Sequence, residues 1–183
     1  MKKLTLASLV LLSLLPYYVE AASEVIFKEA EITFSLPDTW DAKGVSPNRA
    51  TPKMDSSDPL FVAWKRTAIV GKGGNPVSAS LNITVFNAQP DANVVLTSST
   101  LMRRRGWPFK AFLTSDNDGL MLPNSLGYLT EFSPRDGLLM KVFVIHSINN
   151  GKFVEVTLSA TDDIFPQVEP ELRAVLRSIH IAK

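Results

Sequence analysis

The chain has 183 residues, 19 lysines and arginines against 18 aspartates and glutamates, a formal net charge of +1 and no cysteine. Near-neutral charge gives no bulk attraction to nucleic acid. The missing cysteines exclude thiol chemistry and any disulfide framework, so a hydrophobic core alone must hold the fold.

Lys2 and Lys3 open the chain, an apolar run follows from Leu4 to Leu15, Pro16 breaks it, and Val19-Glu20-Ala21 precedes Ala22. This is the charged, apolar and small-residue order of a secretory signal peptide, with cleavage expected after Ala21. Twelve helical residues rise only about 18 Å, short of the roughly 30 Å hydrocarbon core, so the run does not read as a membrane anchor. A lipoprotein anchor needs a cysteine at the cut. Taking 21 residues from the 183 leaves 162, the length of one domain, 22–183. Lys2, Lys3 and Glu20 leave with the signal, so the charges of the exported piece balance. The expected compartment is the periplasm or the medium outside the cell.

Strands are predicted over Glu24 to Lys28 and Glu31 to Leu36, where Ile32, Phe34 and Leu36 alternate with polar residues. Pro37-Asp38-Thr39-Trp40 reads as a turn, with Trp40 closing over the core. Residues 41–59 carry Gly44, prolines and Asp55-Ser56-Ser57-Asp58, and read as a surface loop. Leu60 to Ile69 and Ser78 to Ala88 are the next strands, joined by the glycine-rich segment Gly71 to Pro76. Asp91 is the expected cap of a helix over Ala92 to Arg105, stopped by Gly106 and Pro108, with a thin stripe of Val94, Val95, Leu101 and Met102.

Four strands are then expected, at Phe109 to Ser115, Leu126 to Phe132, Leu138 to Ile148 and Lys152 to Ala160. Asn150-Gly151 supplies the positive φ angles of a tight hairpin between the last two. Leu138 to Ile148 is apolar on both faces, as a central strand covered on both sides would be. Thr161-Asp162-Asp163 reads as a cap, Pro166 and Pro170 as helix-start residues, and Leu172, Val175, Leu176 and Ile179 as the apolar stripe of a terminal helix. The order predicts an α+β domain, a mostly antiparallel sheet with helices on both faces.

Two segments resemble the PsbP-like superfamily, which groups PsbP, DcrB and LpqN-like proteins. The first is Ile32-Thr33-Phe34-Ser35-Leu36-Pro37-Asp38-Thr39-Trp40, similar to that family's opening strand, proline turn and tryptophan. The second, Leu172 to Ile181, is similar to its terminal helix and short last strand. The resemblance implies an α/β/α sandwich and a non-catalytic accessory or binding role. It carries over no functional residue.

His146 is the one candidate general base, with Asp162, Asp163 and Ser159 as scattered partners for an exported hydrolase. No serine or carboxylate stands at a recognisable motif spacing from it, so a histidine bonded to backbone or water at a sheet end is the simpler expectation. His180, the other histidine, closes the terminal helix. Two distant histidines without cysteine give no metal-ligand spacing, and no cofactor is expected. Asp55 with Asp58, and Asp116 with Asp118, lack the remaining positions of a calcium loop and read as turn chemistry. Gly71-Lys72-Gly73-Gly74 lacks the spacing of a phosphate loop. Asn82-Ile83-Thr84 matches a glycosylation sequon but sits in a strand.

Arg103, Arg104, Arg105 and Trp107 form the densest charge run, a candidate contact for an anion or a partner's carboxylates. Successive helical residues fan out by about 100°, so the three arginines cannot form one flat patch, and in a last turn they offset the helix dipole. The sequence therefore predicts an exported, non-catalytic binding or accessory protein of the bacterial envelope. Its expected partner is another protein or an envelope component, met through the loops 41–59 and 114–125. The alternative is an exported hydrolase built around His146.

Overall fold

The computed structural model describes residues 22–44 and 59–181. The expected signal peptide, most of the expected 41–59 loop and the Asp55/Asp58 pair lie outside these. The described chain runs β1 Ala22–Phe27, β2 Ile32–Pro37, β3 Trp40–Gly44, β4 Phe61–Lys65, β5 Ile69–Val70, β6 Pro76–Val77 and β7 Ser80–Asn87. It continues α1 Val94–Arg105, β8 Phe109–Leu113, α2 Ser115–Asp118, β9 Ser125–Arg135, β10 Leu138–Asn149, β11 Lys152–Thr161, α3 Phe165–Ser178 and β12 His180–Ile181.

Seven strands form one antiparallel sheet in the order β3-β4-β7-β11-β10-β9-β8. A smaller sheet, β1-β2-β12, carries the first two strands, which therefore stand apart from the main sheet; β5 and β6 pair alone. The hairpin between β10 and β11 turns at Asn150 (φ 47°) and Gly151 (φ 72°), both left-handed as a primed turn requires. That turn fixes the register: Asn149 faces Lys152, and so Ile145 faces Val156 and His146 faces Glu155.

The middle strand of the seven is β11, and β10 beside it is an interior strand covered on both faces, as its apolar run predicts: Phe143 and Ile145 lie in the large core, Val142 and Val144 under α1. Every residue of β11 from Phe153 to Thr161 is buried. Its alternate residues Glu155, Thr157, Ser159 and Thr161 are polar, and this kept the strand from reading as central.

Different structures cover the two faces of the main sheet. On one side Leu81, Ile83, Phe143, Ile145, Val156 and Leu158 meet α3 and the β1-β2-β12 sheet in a single large core. Helix α3 contributes Phe165, Val168, Leu172, Val175 and Leu176, all buried. Its start has Ile164 at the cap position with no side-chain cap, so Thr161-Asp162-Asp163 does not cap it; Thr161 ends β11 instead. On the other side α1 lies over two small clusters, Met102-Tyr128-Val142-Val144 and Phe86-Leu101-Phe153.

Helix α1 starts two residues later than its sequence signals predicted. Asn93, not Asp91, is the cap: it stays extended while its side-chain oxygen accepts the Val95 and Leu96 amides at 2.9 and 3.2 Å. The predicted stripe also shifts, because Val95 is 51% exposed and Ser98 takes a buried place facing the sheet. At the far end Gly106 adopts the left-handed conformation (φ 67°) and stops the helix as predicted.

The first residues of the 41–59 loop belong to β3, whose Trp40 begins the strand, buried at the sheet edge. The Trp40 indole N–H donates to Glu171 of α3 at 3.0 Å, and Lys65 pairs with the same carboxylate at 2.5 Å. His180 does not close the helix; it pairs in β12 with Thr33 of β2, ring to hydroxyl at 2.7 Å. The Ser178 hydroxyl accepts the Ser35 amide at 2.9 Å. The two segments 32–40 and 172–181, far apart in sequence, thus lie side by side.

Candidate functional site

The most concentrated chemistry among the described residues lies under α1. His146 on β10 is fully buried and, contrary to the expectation of a backbone or water partner, both ring nitrogens meet side chains. Its Nε2 stands 2.8 Å from Glu155 Oε2 on the facing strand, and its Nδ1 stands 2.8 Å from the Ser98 hydroxyl on α1. An ionised carboxylate only accepts, so Nε2 carries the proton shared with Glu155 and, in the neutral ring, Nδ1 accepts from Ser98. Arg105, in the last turn of α1, donates to the same Glu155 oxygen at 2.6 Å. Tyr128 on β9 stacks edge-on to His146 at 5.6 Å and donates its hydroxyl to the Met102 sulfur.

Burial alone would push the Glu155 carboxyl up. The His146 and Arg105 hydrogen bonds and charges outweigh it and hold the group below the usual carboxylate range. The Tyr128 hydroxyl is pushed up, first by burial and then by the Glu155 charge, and so stays a neutral donor. The result is a charged pair with its hydrogen bonds satisfied, the condition for tolerating charge in an interior.

A serine, a histidine and a carboxylate in one hydrogen-bonded line are the parts of a nucleophilic relay. Three features separate this line from a working one. Ser98 and His146 are each 0% exposed, so no substrate carbonyl reaches the hydroxyl. The serine sits inside α1, where the backbone N–H groups are spent on helical bonds and supply no oxyanion donors. The ring is also turned round relative to the usual triad, with Nδ1 rather than Nε2 towards the serine.

The other predicted partners of His146 go elsewhere. Ser159 bonds Ser80 at 2.9 Å, four residues along β11 from Glu155 and about 13 Å away at strand spacing. Asp162 pairs with Lys141 at 2.7 Å, and Asp163 accepts the Lys72 amide at 2.6 Å. Both aspartates line a surface cleft of about 580 Å³ between the β5–β6 turn and the β9–β10 turn. Gly71 lets the chain pass close to Asp163, since a Cβ there would come within 2.6 Å of its carboxylate oxygen and push that side chain aside. Asp118, capping its own turn by accepting the Thr114 amide at 2.9 Å, also pairs with Arg173 of α3, so the 114–125 segment is pinned to the fold. Among the described residues no three histidine or acidic side chains converge as metal ligands.

The arginine run divides as the helical fan requires. Arg105 turns inward to Glu155, and its guanidinium also lies 5.0 Å over the Trp107 ring, which stacks on Phe132 at 4.5 Å. Arg103 and Arg104 are exposed. Phe109 and Phe112 of the edge strand β8 stand nearby, 40% and 62% exposed.

No family model matches the sequence, and no curated protein matches it by sequence. Solved structures do. The Ran-binding protein Mog1p of Saccharomyces cerevisiae overlays with a TM-score of 0.52 at 12% identity, over 90% of this chain and 97% of that one. LpqN of Mycobacterium tuberculosis, described as involved in cell envelope biogenesis, overlays with 0.51 at 13% identity, over 89% of this chain and 91% of that one. The fold is that of the Mog1/PsbP-like proteins. Cyanobacterial PsbP from Synechocystis matches with a TM-score of 0.48 at 12% identity, over 91% of this chain and 95% of that one. At such identities the likeness is one of fold alone. Among the described residues no helix is long and apolar enough to cross a membrane.

Of the site, the sequence pointed to His146 and Arg105 and missed Ser98, Glu155 and Tyr128. Glu155 was reachable, because a two-residue turn at Asn150-Gly151 sets three residues before Asn149 opposite three residues after Lys152. Ser98 carried no such signal, since only the docking of α1 brings it to the strand.

Proposed function

We propose that the chain is an exported, non-catalytic binding or accessory protein of the bacterial envelope, made with a signal peptide over residues 1–21. The observation that carries this reading is the enclosure of His146. The strongest candidate for acid–base chemistry has both ring nitrogens occupied and lies out of reach beneath a helix. The export pattern at the N-terminus supports the compartment. The fold shared with LpqN, an envelope biogenesis protein, is in keeping with it.

The partner contact in this reading is the corner after α1. Arg103 offers a guanidinium fork to a partner's carboxylates with Arg104 exposed beside it, Arg105 and Trp107 hold the corner in shape, and Phe109 and Phe112 add exposed apolar area. The partner is another protein or envelope component bearing acidic groups.

One observation favours a second reading, an exported hydrolase: the unbroken Ser98-His146-Glu155 line. Cell fractionation, crosslinking in intact cells and assays of the purified chain separate the two. The binding reading expects the chain outside the cytoplasm and one specific crosslinked partner, lost when Arg103 and Arg104 are both changed to glutamate. Turnover of an ester, peptide or glycan that disappears in His146→Ala would overturn it.

A further inference from the structure

We propose that helix α1 is a lid, fastened by the polar chain beneath it, that lifts from the sheet as one unit while the sheet and α3 stay folded. This goes beyond the binding reading and does not depend on it.

The attachment of α1 joins a small apolar contact to three side-chain hydrogen bonds. Of its twelve residues only Val94, Ser98, Leu101 and Met102 are buried, while the apolar Val95 and Leu96 are 51% and 69% exposed. Its fastenings stand at positions 98, 102 and 105, one stripe of the helix. Each reaches a different strand: Ser98 to His146 on β10, Met102 to the Tyr128 hydroxyl on β9, and Arg105 to Glu155 on β11. Hydrogen bonds are short-ranged and directional, so a displacement that breaks one weakens the others, and the helix releases cooperatively.

The ends of α1 suit such a motion. Its last residue is followed by left-handed Gly106, where an added Cβ would meet nothing within 4 Å. The helix is preceded by the short connection 88–93, which forms no regular structure. Loop or element-terminal residues of this kind absorb the backbone rotation of a hinge.

The floor beneath is already organised. His146 and Glu155 face each other across a strand pair, and Tyr128 lies on the next strand, so all three stay in place when α1 leaves. Ser98 and Arg105 depart with the helix. The open form therefore presents an apolar floor of Val142, Val144 and Phe153 around a histidine–carboxylate pair, with the serine withdrawn.

Hydrogen exchange on the full chain at neutral pH tests this. The amides of α1 should exchange as one set, faster than those of β10, β11 and α3. Glu155→Gln removes the charge that holds Arg105, and should accelerate the α1 set at least about tenfold while α3 keeps its wild-type rates. Should that variant fail to fold, Arg105→Ala tests the same fastening from the exposed end of the chain, with the same expected result. The proposal is overturned if α1 exchanges at the rate of β10 and β11 in the wild type, or if either variant accelerates α1 and α3 equally.

Discussion

The two faces of the main sheet solve the same problem by different means. Under α3 the side chains are apolar and the interface closes by burial: Leu172 and Leu176 are completely enclosed against Phe143, Ile145 and Leu158. Under α1 the Arg105–Glu155 ion pair, a histidine, a serine and a tyrosine hydroxyl share the space with two small apolar clusters. Apolar burial is non-directional and tolerates small shifts, whereas buried polar groups are worth little net and costly when a partner is lost. The α3 face thus gives the fold its stability, and the α1 face specifies where one helix sits. Arg173 marks the boundary of that rule on the α3 side: it pairs with Glu169 at 2.8 Å and lies 4.8 Å over the Phe143 ring, at the rim of the core.

The sharpest way to break the comparison is to cut into the apolar face. Leu172→Ala should cost about 4 kcal/mol in urea unfolding, because the site is enclosed on all sides and cannot collapse to fill the void. Glu155→Ala should cost about 3 kcal/mol by leaving Arg105 and His146 without their acceptor. Replacing Arg105, His146 and Glu155 together by leucine or methionine should recover most of that loss, since an apolar filling of similar volume substitutes for a buried charge network. A triple variant as unstable as the single one would show that the network does more than fill and orient.

Acidification sharpens the contrast further. The Glu155 carboxyl sits below its unfolded value of 4.5, so its contribution to stability is full above that pH and is lost as the pH falls through the lower folded value. Near-ultraviolet signals of Trp107 and Tyr128 should therefore hold through mildly acidic pH and change only as the pH falls through that lower value. Smaller effects belong to the helix ends. Asn93→Ala should cost about 1 kcal/mol by removing the cap of α1, whereas α3 has no side-chain cap to lose. Arg103→Ala, on the exposed side of the run, should change stability by less than about 0.5 kcal/mol.

The unequal legibility of the two faces has the same origin. The α3 side was plain in the sequence, because alternation at Ile32, Phe34 and Leu36 and helical spacing at Leu172, Val175 and Leu176 are patterns set by burial alone. The hairpin at Asn150-Gly151 was readable because only a few residue pairs adopt its φ angles. The α1 side was not, because Ser98, Thr157 and Ser159 look like surface residues until a helix or neighbouring strand covers them. For the same reason β11 was passed over as the central strand, and Asp162, Asp163 and Ser159 were grouped with His146 although register and distance separate them. Conversely, Arg105 belonged to a charge run that suggested the outside, and the partner that turns it inward lies fifty residues away.

The chain of groups under α1 either fastens a helix or performs a reaction. Incubating the purified full chain with a fluorophosphonate and mapping adducts by mass spectrometry addresses this directly, since such probes report a serine whose hydroxyl is both activated and reachable. Ser98 should stay unmodified, with the lid closed because it is enclosed and with the lid open because it has left His146. A covalent adduct on Ser98, abolished by His146→Ala, would contradict the fastening role.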